Sequence, residues 1–134
     1  MSEENVELVR LMWAALERED IEAQLELCDE QMEIRNPPEF PVTGPYHGHN
    51  GVRQWATENW EVFTNLRFEV EEIIEAPDDE TLVSVQRTVG RMRHTEIPID
   101  VRWAGVWTVR NGKALRAHGY LSKAEALEAA GLSE

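Results

Sequence analysis

Four histidines are the residues of this chain best suited to acid–base chemistry near neutral pH, because an unperturbed imidazole has a pKa of about 6.5. His47 and His49 lie in a Pro- and Gly-rich segment, His94 lies beside a turn signal, and His118 lies in a predicted strand. His47 follows Tyr46, and a loop of this kind could close over a pocket mouth. His47 is therefore our candidate for a catalytic group, and a packed lid residue is the alternative.

Two arginines offer a different chemistry, the binding of an anion or a carbonyl group. Arg87 and Arg91 share one side of a predicted strand with three valines. If that side faces inward, two guanidinium groups enter an apolar cavity, where an isolated charge is costly and needs a partner. A ligand carboxylate or carbonyl is one possible partner, since a guanidinium offers a fork of donors. Protein acids such as Glu33 or Glu72 are the alternative.

The residues give little support for a metal centre. His47 and His49 are two positions apart, Glu39 is the nearest acid of the same loop, and Cys28 is the single cysteine. This set does not match the spacing of known zinc motifs. We therefore expect neither a metal nor a cofactor.

Composition bounds the class of protein. The chain has 134 residues, of which 42% are hydrophobic, and this predicts one globular domain over 1–134. Thirteen Lys and Arg against 26 Asp and Glu give a net charge of −13, which argues against a nucleic-acid binder. No apolar run is long enough for a membrane span, and the acidic N terminus lacks the pattern of a signal peptide. We expect a cytoplasmic protein.

The first half of the chain must position these residues on helices and one long loop. Apolar residues with a 3.6-residue period predict a first helix, and Asp20 is a suitable N-cap for a second. A short strand over 32–35 precedes a loop over 36–51, and loops of that length are often lids or binding loops. A third helix follows, with His49 or Asn50 as its predicted N-cap.

The second half reads as an antiparallel meander. Near Leu66 the apolar period changes from 3.6 to 2, which predicts a half-buried strand. Asn111-Gly112 is a strong hairpin signal, because a type I′ turn needs two positive φ angles. A Ser-x-x-Glu capping box at 122–125 then begins a short last helix. Three further long strands are predicted, over 81–93, 101–110 and 113–121.

Two tryptophans lie on one side of the third long strand. Trp103 and Trp107 share that side with Gly105 and Val109. Each aromatic side chain can bury roughly 150–250 Å². Core packing, a pocket wall and a subunit interface are the three interpretations that remain open.

The order of elements and four motifs resemble the SnoaL-like family of the nuclear transport factor 2 superfamily. The resemblance covers residues 4–132 and implies a cone-shaped α+β half-barrel, in which a curved antiparallel sheet wraps around the N-terminal helices. It also implies a deep apolar pocket and a dimer. The motifs that carry it are Asn36-Pro37-Pro38, Gly44-Pro45-Tyr46-His47-Gly48, the stretch 106–113 and the stretch 125–132.

The resemblance does not extend to the superfamily's catalytic residues. Ketosteroid-isomerase-like members carry an Asp-Pro pair where this chain has Asn36-Pro37, and an amide cannot serve as the general base. Epoxide-hydrolase-like members carry an Arg-x-Asp pair and a late acid; Arg87 matches the arginine, but Val89 and Gly119 stand at the acids. Polyketide cyclases also rely on a late acid. By the same resemblance, His118 points away from the pocket.

We therefore predict an apolar pocket that binds a small molecule with a carbonyl or carboxylate group. The alternative is an isomerase, cyclase or hydrolase that acts on a polyketide-, terpenoid- or steroid-like substrate. The predicted ligand-contacting residues are Asn36, Tyr46, His47, Arg87, Arg91, Trp103 and Trp107.

A homodimer is predicted from the two-sided apolar pattern of the third long strand. Ala104 and Val106 are apolar on the side opposite to Trp103 and Trp107. Helices on one side of the sheet leave the other to be buried by a partner. We expect the convex side of the sheet to form the interface.

Overall fold

A computed structural model describes residues 2–132 of the chain. It contains four helices and six strands in one continuous order. The elements are α1 (Ser2–Arg18), α2 (Ile21–Leu27), β1 (Cys28–Arg35), β2 (Tyr46–His47), α3 (Gly48–Val62), β3 (Phe63–Glu75), β4 (Thr81–Met92), β5 (Pro98–Arg110), β6 (Lys113–Tyr120) and α4 (Lys123–Ala129).

The strands form one curved, open sheet in the order β2-β1-β6-β5-β4-β3. The meander from β3 to β6 is antiparallel, as predicted, whereas β1 runs parallel to β6. No tight turn joins β1 to β6, because most of the chain lies between them, so hairpin geometry does not force an antiparallel pair. The predicted α+β cone is thus confirmed, with a mixed sheet in place of a purely antiparallel one.

Local chemistry fixes several boundaries. The Asp20 carboxylate accepts a hydrogen bond from Ala23 N at 3.1 Å, so the predicted N-cap of α2 is confirmed. The turn between β5 and β6 has φ angles of 55° at Asn111 and 74° at Gly112, as a type I′ hairpin requires. Ser122 caps α4 by accepting from Glu125 N at 3.1 Å.

The predicted loop over 36–51 is shorter than expected. Its end forms β2, which pairs with β1 through Glu33 and His47, and through Ile34 and Tyr46. α3 then begins at Gly48, with His47 in the N-cap position and no side-chain capping bond. His49 and Asn50, the predicted caps, therefore lie inside the helix.

The helices α1 and α3 pack on the inner, concave side of the sheet. Trp13 of α1 stacks on Phe68 with a centroid distance of 4.5 Å and meets Trp103 and Trp107 edge-on at 5.7 Å. Trp55 of α3 lies 6.3 Å from Trp13. This aromatic cluster ties both helices to β3 and β5.

The outer side of the sheet is partly covered by α4. Val83 and Ala104 are fully buried there with Ala126 of α4, and Val106 and Leu127 pack against them. Of the two outer residues on which the predicted dimer rests, Ala104 is buried and Val106 is half-buried, both beside the chain's own last helix. Within the described residues, no helix is both long enough and apolar enough to cross a membrane.

Candidate functional site

A cavity of about 570 Å³ lies between α1, α3, the loop after β1 and the inner side of β3–β5. This volume is within the usual range for small-molecule sites, roughly 300–1,000 Å³. Most of its wall is aromatic or aliphatic, formed by Trp13, Leu16, Phe40, Pro41, Trp55, Phe63, Leu66, Phe68, Met92, Ile99, Val101 and Trp103. The polar wall residues are Asn36, Glu39, Asn59, Thr88 and Asp100.

Trp103 forms part of the cavity wall, and its orientation is fixed from two sides. Its indole N–H donates to Thr88 Oγ1 at 2.9 Å, and Phe40 from the loop meets its ring edge-on at 5.1 Å. Both Trp103 and Thr88 are buried. The loop that we predicted to bind a ligand thus reaches the cavity through Phe40 and its neighbours.

A second, much smaller chamber of about 20 Å³ adjoins the cavity and shares Trp13, Asn36, Trp55 and Trp103 with its wall. Trp107, the other predicted tryptophan, lines this chamber together with Gln86. The volume is enough for about one water-sized atom.

Hydrogen bonds connect three buried residues beside the chamber. Trp107 Nε1 donates to Ser84 Oγ at 2.8 Å, and Ser84 Oγ donates to Gln86 Oε1 at 2.8 Å. Three residues that line the chamber carry buried donors without a partner within the described residues: Trp13 Nε1, Trp55 Nε1 and Gln86 Nε2. Buried donors without partners are rare in folded proteins, and each needs an explanation.

Asn36 lies at the junction of the cavity and the chamber, at the end of β1. Its side-chain Nδ2 donates to Val42 O at 2.8 Å, and its backbone N donates to Thr43 O at 2.9 Å. The residue therefore closes the loop after β1 on itself. A carboxylate at position 36 could not donate the hydrogen bond that the Asn36 amide gives to Val42 O.

The prediction that Arg87 enters the cavity is wrong. Its guanidinium lies on the outer side, where Nε and Nη2 donate to Asp100 at 2.8 and 2.7 Å, and Glu69 lies 3.6 Å away. Gln86 and Thr88 point inward instead. The three valines on the Arg87 side do not mark the inner side of β4, because α4 supplies an apolar environment on the outer side as well.

Arg91 is also outside the cavity, exposed near the end of β4. Its Nη1 donates to the backbone oxygen of Glu96 at 3.0 Å. The strand alternates, so Arg91 shares the outward direction of Arg87. Neither arginine lines the cavity or enters it.

Two acidic residues border the cavity, Glu39 on the loop and Asp100 at the start of β5, and both are exposed. The carboxylate of Asp100 is turned to Arg87 on the outer side of the sheet. The hydrogen bonds from Arg87 hold the pKa of Asp100 below its usual range. Asp100 is therefore an ionised group near neutral pH and a poor proton acceptor.

Tyr46 and His47, predicted as a lid, lie away from both spaces. Tyr46 is buried in the core, and its hydroxyl donates to Glu58 Oε1 at 2.5 Å; burial and this bond raise the pKa of the phenol. His47 is largely exposed, with Nδ1 3.8 Å from Glu33 Oε1. A lid role and a catalytic role in this cavity for His47 are therefore not supported by its position.

His118 points outward, as the resemblance implied. Arg35 Nη2 donates to its Nδ1 at 3.1 Å, so its Nε2 carries the hydrogen that Glu33 Oε2 accepts at 2.7 Å. Burial lowers the pKa of His118, and the bond from His118 lowers the pKa of Glu33. The three side chains form a compact charged cluster on the outer side of β1 and β6.

The inner side of β6 has no space for an acid beside Trp103. A Cβ atom on Gly119 would lie 2.8 Å from both Trp103 Cζ3 and Pro37 Cδ. The glycine at the position of the superfamily's late acid is thus required by packing. Within residues 2–132, no group of three His, Cys, Asp or Glu side chains is arranged to hold a metal ion.

Most residues of the cavity wall were not predicted from the sequence. Trp13 and Trp55 were visible only as members of apolar helix stripes, and Gln86 and Thr88 only as polar residues between valines. Two tryptophans on the core-facing stripes of neighbouring helices were the available signal. Their convergence depends on how α1 and α3 cross the sheet.

Comparison with known proteins agrees with this architecture. The SnoaL-like domain family model matches residues 9–117. No curated protein sequence is significantly similar to the chain.

Solved structures share the fold at low sequence identity. An NTF2-like protein from Burkholderia xenovorans LB400 is 23% identical, with a TM-score of 0.76, covering 100% of this chain and 98% of that one. TerC, co-crystallised with polyporic acid, is 22% identical with a TM-score of 0.75, over 93% and 96% of the chains. The Δ5-3-ketosteroid isomerase from a Mycobacterium species is 15% identical with a TM-score of 0.72, over 87% and 92%. The family model matches most of the chain, and the chain forms the curved sheet around a cavity described above. The chain therefore belongs to the SnoaL-like domain family.

Proposed function

We propose that this protein binds an apolar small molecule in the main cavity. The observation that carries the proposal is a preformed space of about 570 Å³ with an almost wholly aromatic and aliphatic wall. Three tryptophans and three phenylalanines border it, and an aromatic ligand surface gains packing against such rings. Similarity to TerC, which was co-crystallised with polyporic acid, supports the binding of a small organic molecule by this fold.

The expected affinity is modest. A ligand of about 20 non-hydrogen atoms at roughly −0.3 kcal/mol per atom gives about −6 kcal/mol, which corresponds to a Kd in the tens of micromolar. Shape and the apolar wall supply most of this free energy, because the wall offers few polar groups.

An isomerase, cyclase or hydrolase is the alternative, and the similarity to a ketosteroid isomerase supports it. Such an enzyme needs a proton acceptor or donor with a pKa near the working pH. The acidic residues on the described cavity wall are Glu39 and Asp100, and the carboxylate of Asp100 is bonded to Arg87 outside the cavity, which lowers its pKa. We therefore favour binding over catalysis.

The proposal is tested with N-phenyl-1-naphthylamine, an uncharged dye whose fluorescence rises in apolar surroundings. Leu66→Trp replaces a leucine of the cavity wall with a bulkier indole. It should weaken dye binding about tenfold or more, because the indole occupies ligand space. Arg67→Trp is the matched control, because Arg67 is the exposed neighbour on the same strand. Equal dye affinity in both variants and the wild type would refute binding in this cavity.

A homodimer remains part of the proposal. With Val83 and Ala104 covered by α4, a partner would pack on the rest of the outer side, where Val85 and Val89 are half-buried. Analytical ultracentrifugation at micromolar concentration measures the state. A monomer there would contradict this part.

A further inference from the structure

The side-chain amide of Gln86 is held in one orientation by its neighbours. The Trp107 indole can only donate, so Ser84 Oγ accepts its hydrogen bond at 2.8 Å. The single hydroxyl hydrogen of Ser84 then goes to Gln86 Oε1, also at 2.8 Å. The reverse amide orientation would leave that hydrogen without an acceptor among the described residues. Gln86 therefore keeps its NH₂ group free for another partner.

The free NH₂ group has two neighbours of the same kind. Trp13 Nε1 and Trp55 Nε1 are buried donors without a partner in the part of the chain described, and both residues line the small chamber with Gln86. Ser84, Trp107 and Gln86 have their acceptors occupied or have none to offer. Gln86, Trp13 and Trp55 therefore offer hydrogen-bond donors, and no free acceptor, to the chamber.

The charges around the two spaces define the ligand further. Among the residues lining them there is no Lys or Arg. His118 borders the chamber, but Glu33 and Arg35 occupy its ring nitrogens. A carboxylate would enter an apolar space without a cation to pair with, which is costly. The acidic residue Glu39 on the wall of the main cavity also disfavours an anion.

We infer that the small chamber is a subsite for one uncharged oxygen acceptor of the ligand, such as a ketone or quinone carbonyl, held by Gln86 Nε2 with the indoles of Trp13 and Trp55 beside it. This inference rests on the proposed function, since the remainder of the ligand fills the main cavity. The chamber has room for about one such atom, at about 20 Å³. This subsite takes the place of the predicted contact between Arg87 and a carbonyl or carboxylate group of the ligand, because Arg87 is bonded to Asp100 instead.

Three matched tricyclic probes test the subsite: 9-fluorenone, fluorene and fluorene-9-carboxylate. Their affinities are measured by quenching of tryptophan fluorescence. The wild type should bind fluorenone about five- to tenfold more tightly than fluorene, the effect of one buried hydrogen bond, and should bind the carboxylate most weakly. The infrared carbonyl stretch of bound fluorenone should lie at lower wavenumber than in an apolar solvent.

Gln86→Met removes the donor and keeps the unbranched shape, so it should abolish the preference for fluorenone and leave fluorene affinity unchanged. Gln24→Met is the matched control. Gln24 is equally buried at 0% exposure, its amide also lacks a partner, and it lines neither space. It should keep the wild-type preference. Thermal melts establish that the variants are folded.

The outcomes separate the two proposals. If neither fluorene nor fluorenone binds the wild type, the proposed function fails and the subsite with it. If both bind equally, if fluorene-9-carboxylate binds most tightly, or if Gln86→Met keeps the preference, the subsite is overturned while apolar binding stands. Should Gln86→Met fail to fold, the wild-type preference and the position of the carbonyl stretch still decide the question.

Discussion

Gly119 on β6 lies against the ring of Trp103 so closely that a Cβ at position 119 would be 2.8 Å from Trp103 Cζ3. Pro37 Cδ lies at the same distance from the other side. Because Gly119 of β6 has no side chain, the ring of Trp103 on the neighbouring strand β5 has room to form part of the cavity wall. This contact explains in steric terms why an acid cannot stand where related enzymes carry one.

Gly119→Ala should lower the free energy of unfolding by about 1–3 kcal/mol, the usual cost of forcing extra atoms into a packed core. Urea denaturation of the wild type and the variant measures this difference. In a Trp103→Leu background the same substitution should cost less, because one of the two clashing groups is smaller. Additive effects of the two changes would contradict the contact.

Tyr46→Phe distinguishes a core residue from a ligand-binding lid. The variant loses the hydrogen bond to Glu58, so stability should fall by about 1–3 kcal/mol. Ligand affinity should not change, since Tyr46 lines neither the cavity nor the chamber. Tyr120→Phe, at a half-buried tyrosine of the outer side, serves as the control for stability. A weaker affinity for N-phenyl-1-naphthylamine in Tyr46→Phe would restore the lid interpretation.

Arg87→Met tests the outer position of this guanidinium. Without the two hydrogen bonds from Arg87, the pKa of Asp100 should rise toward its usual range, which a carboxyl NMR titration detects. Affinity for fluorenone should stay at the wild-type level. A loss of affinity with an unchanged Asp100 titration would place Arg87 at the ligand instead.

The His118 cluster should make stability depend on pH. Because the pKa of His118 is lower in the folded protein than its ordinary value of 6.5, the unfolded chain takes up the proton first. The contribution is therefore fully present above pH 6.5 and is lost as pH falls from there through the folded-state pKa. The lowered pKa of Glu33 adds a further loss below its ordinary value of 4.5.

Urea denaturation between pH 8 and pH 5 measures the first of these windows. His118→Gln removes the titrating ring and should flatten the decline relative to the wild type. The other histidines are present in both proteins, so the difference between the two curves belongs to His118. Parallel curves would show that this histidine has the same proton affinity folded and unfolded.

The elements of this fold could be predicted because short-range chemistry sets them. The Asp20 cap, the Asn111-Gly112 turn and the Ser122 cap each depend on atoms within about four residues, and all three occur as predicted. The alternation after Leu66 likewise predicts a half-buried strand, and β3 occurs there. The resemblance in sequence supplied the cone architecture.

The cavity wall depended on the tertiary structure. Alternation with a two-residue period shows which residues of β4 share a side, but it does not show which side faces inward. Both sides of β4 meet apolar neighbours. Packing of α4 buries Val83 on the outer side, which leaves Gln86 and Thr88 to point inward and sends Arg87 out to Asp100. The sequence by itself determined the helices, strands and turns, whereas the long-range placement of α4 decided which side chains a ligand would meet.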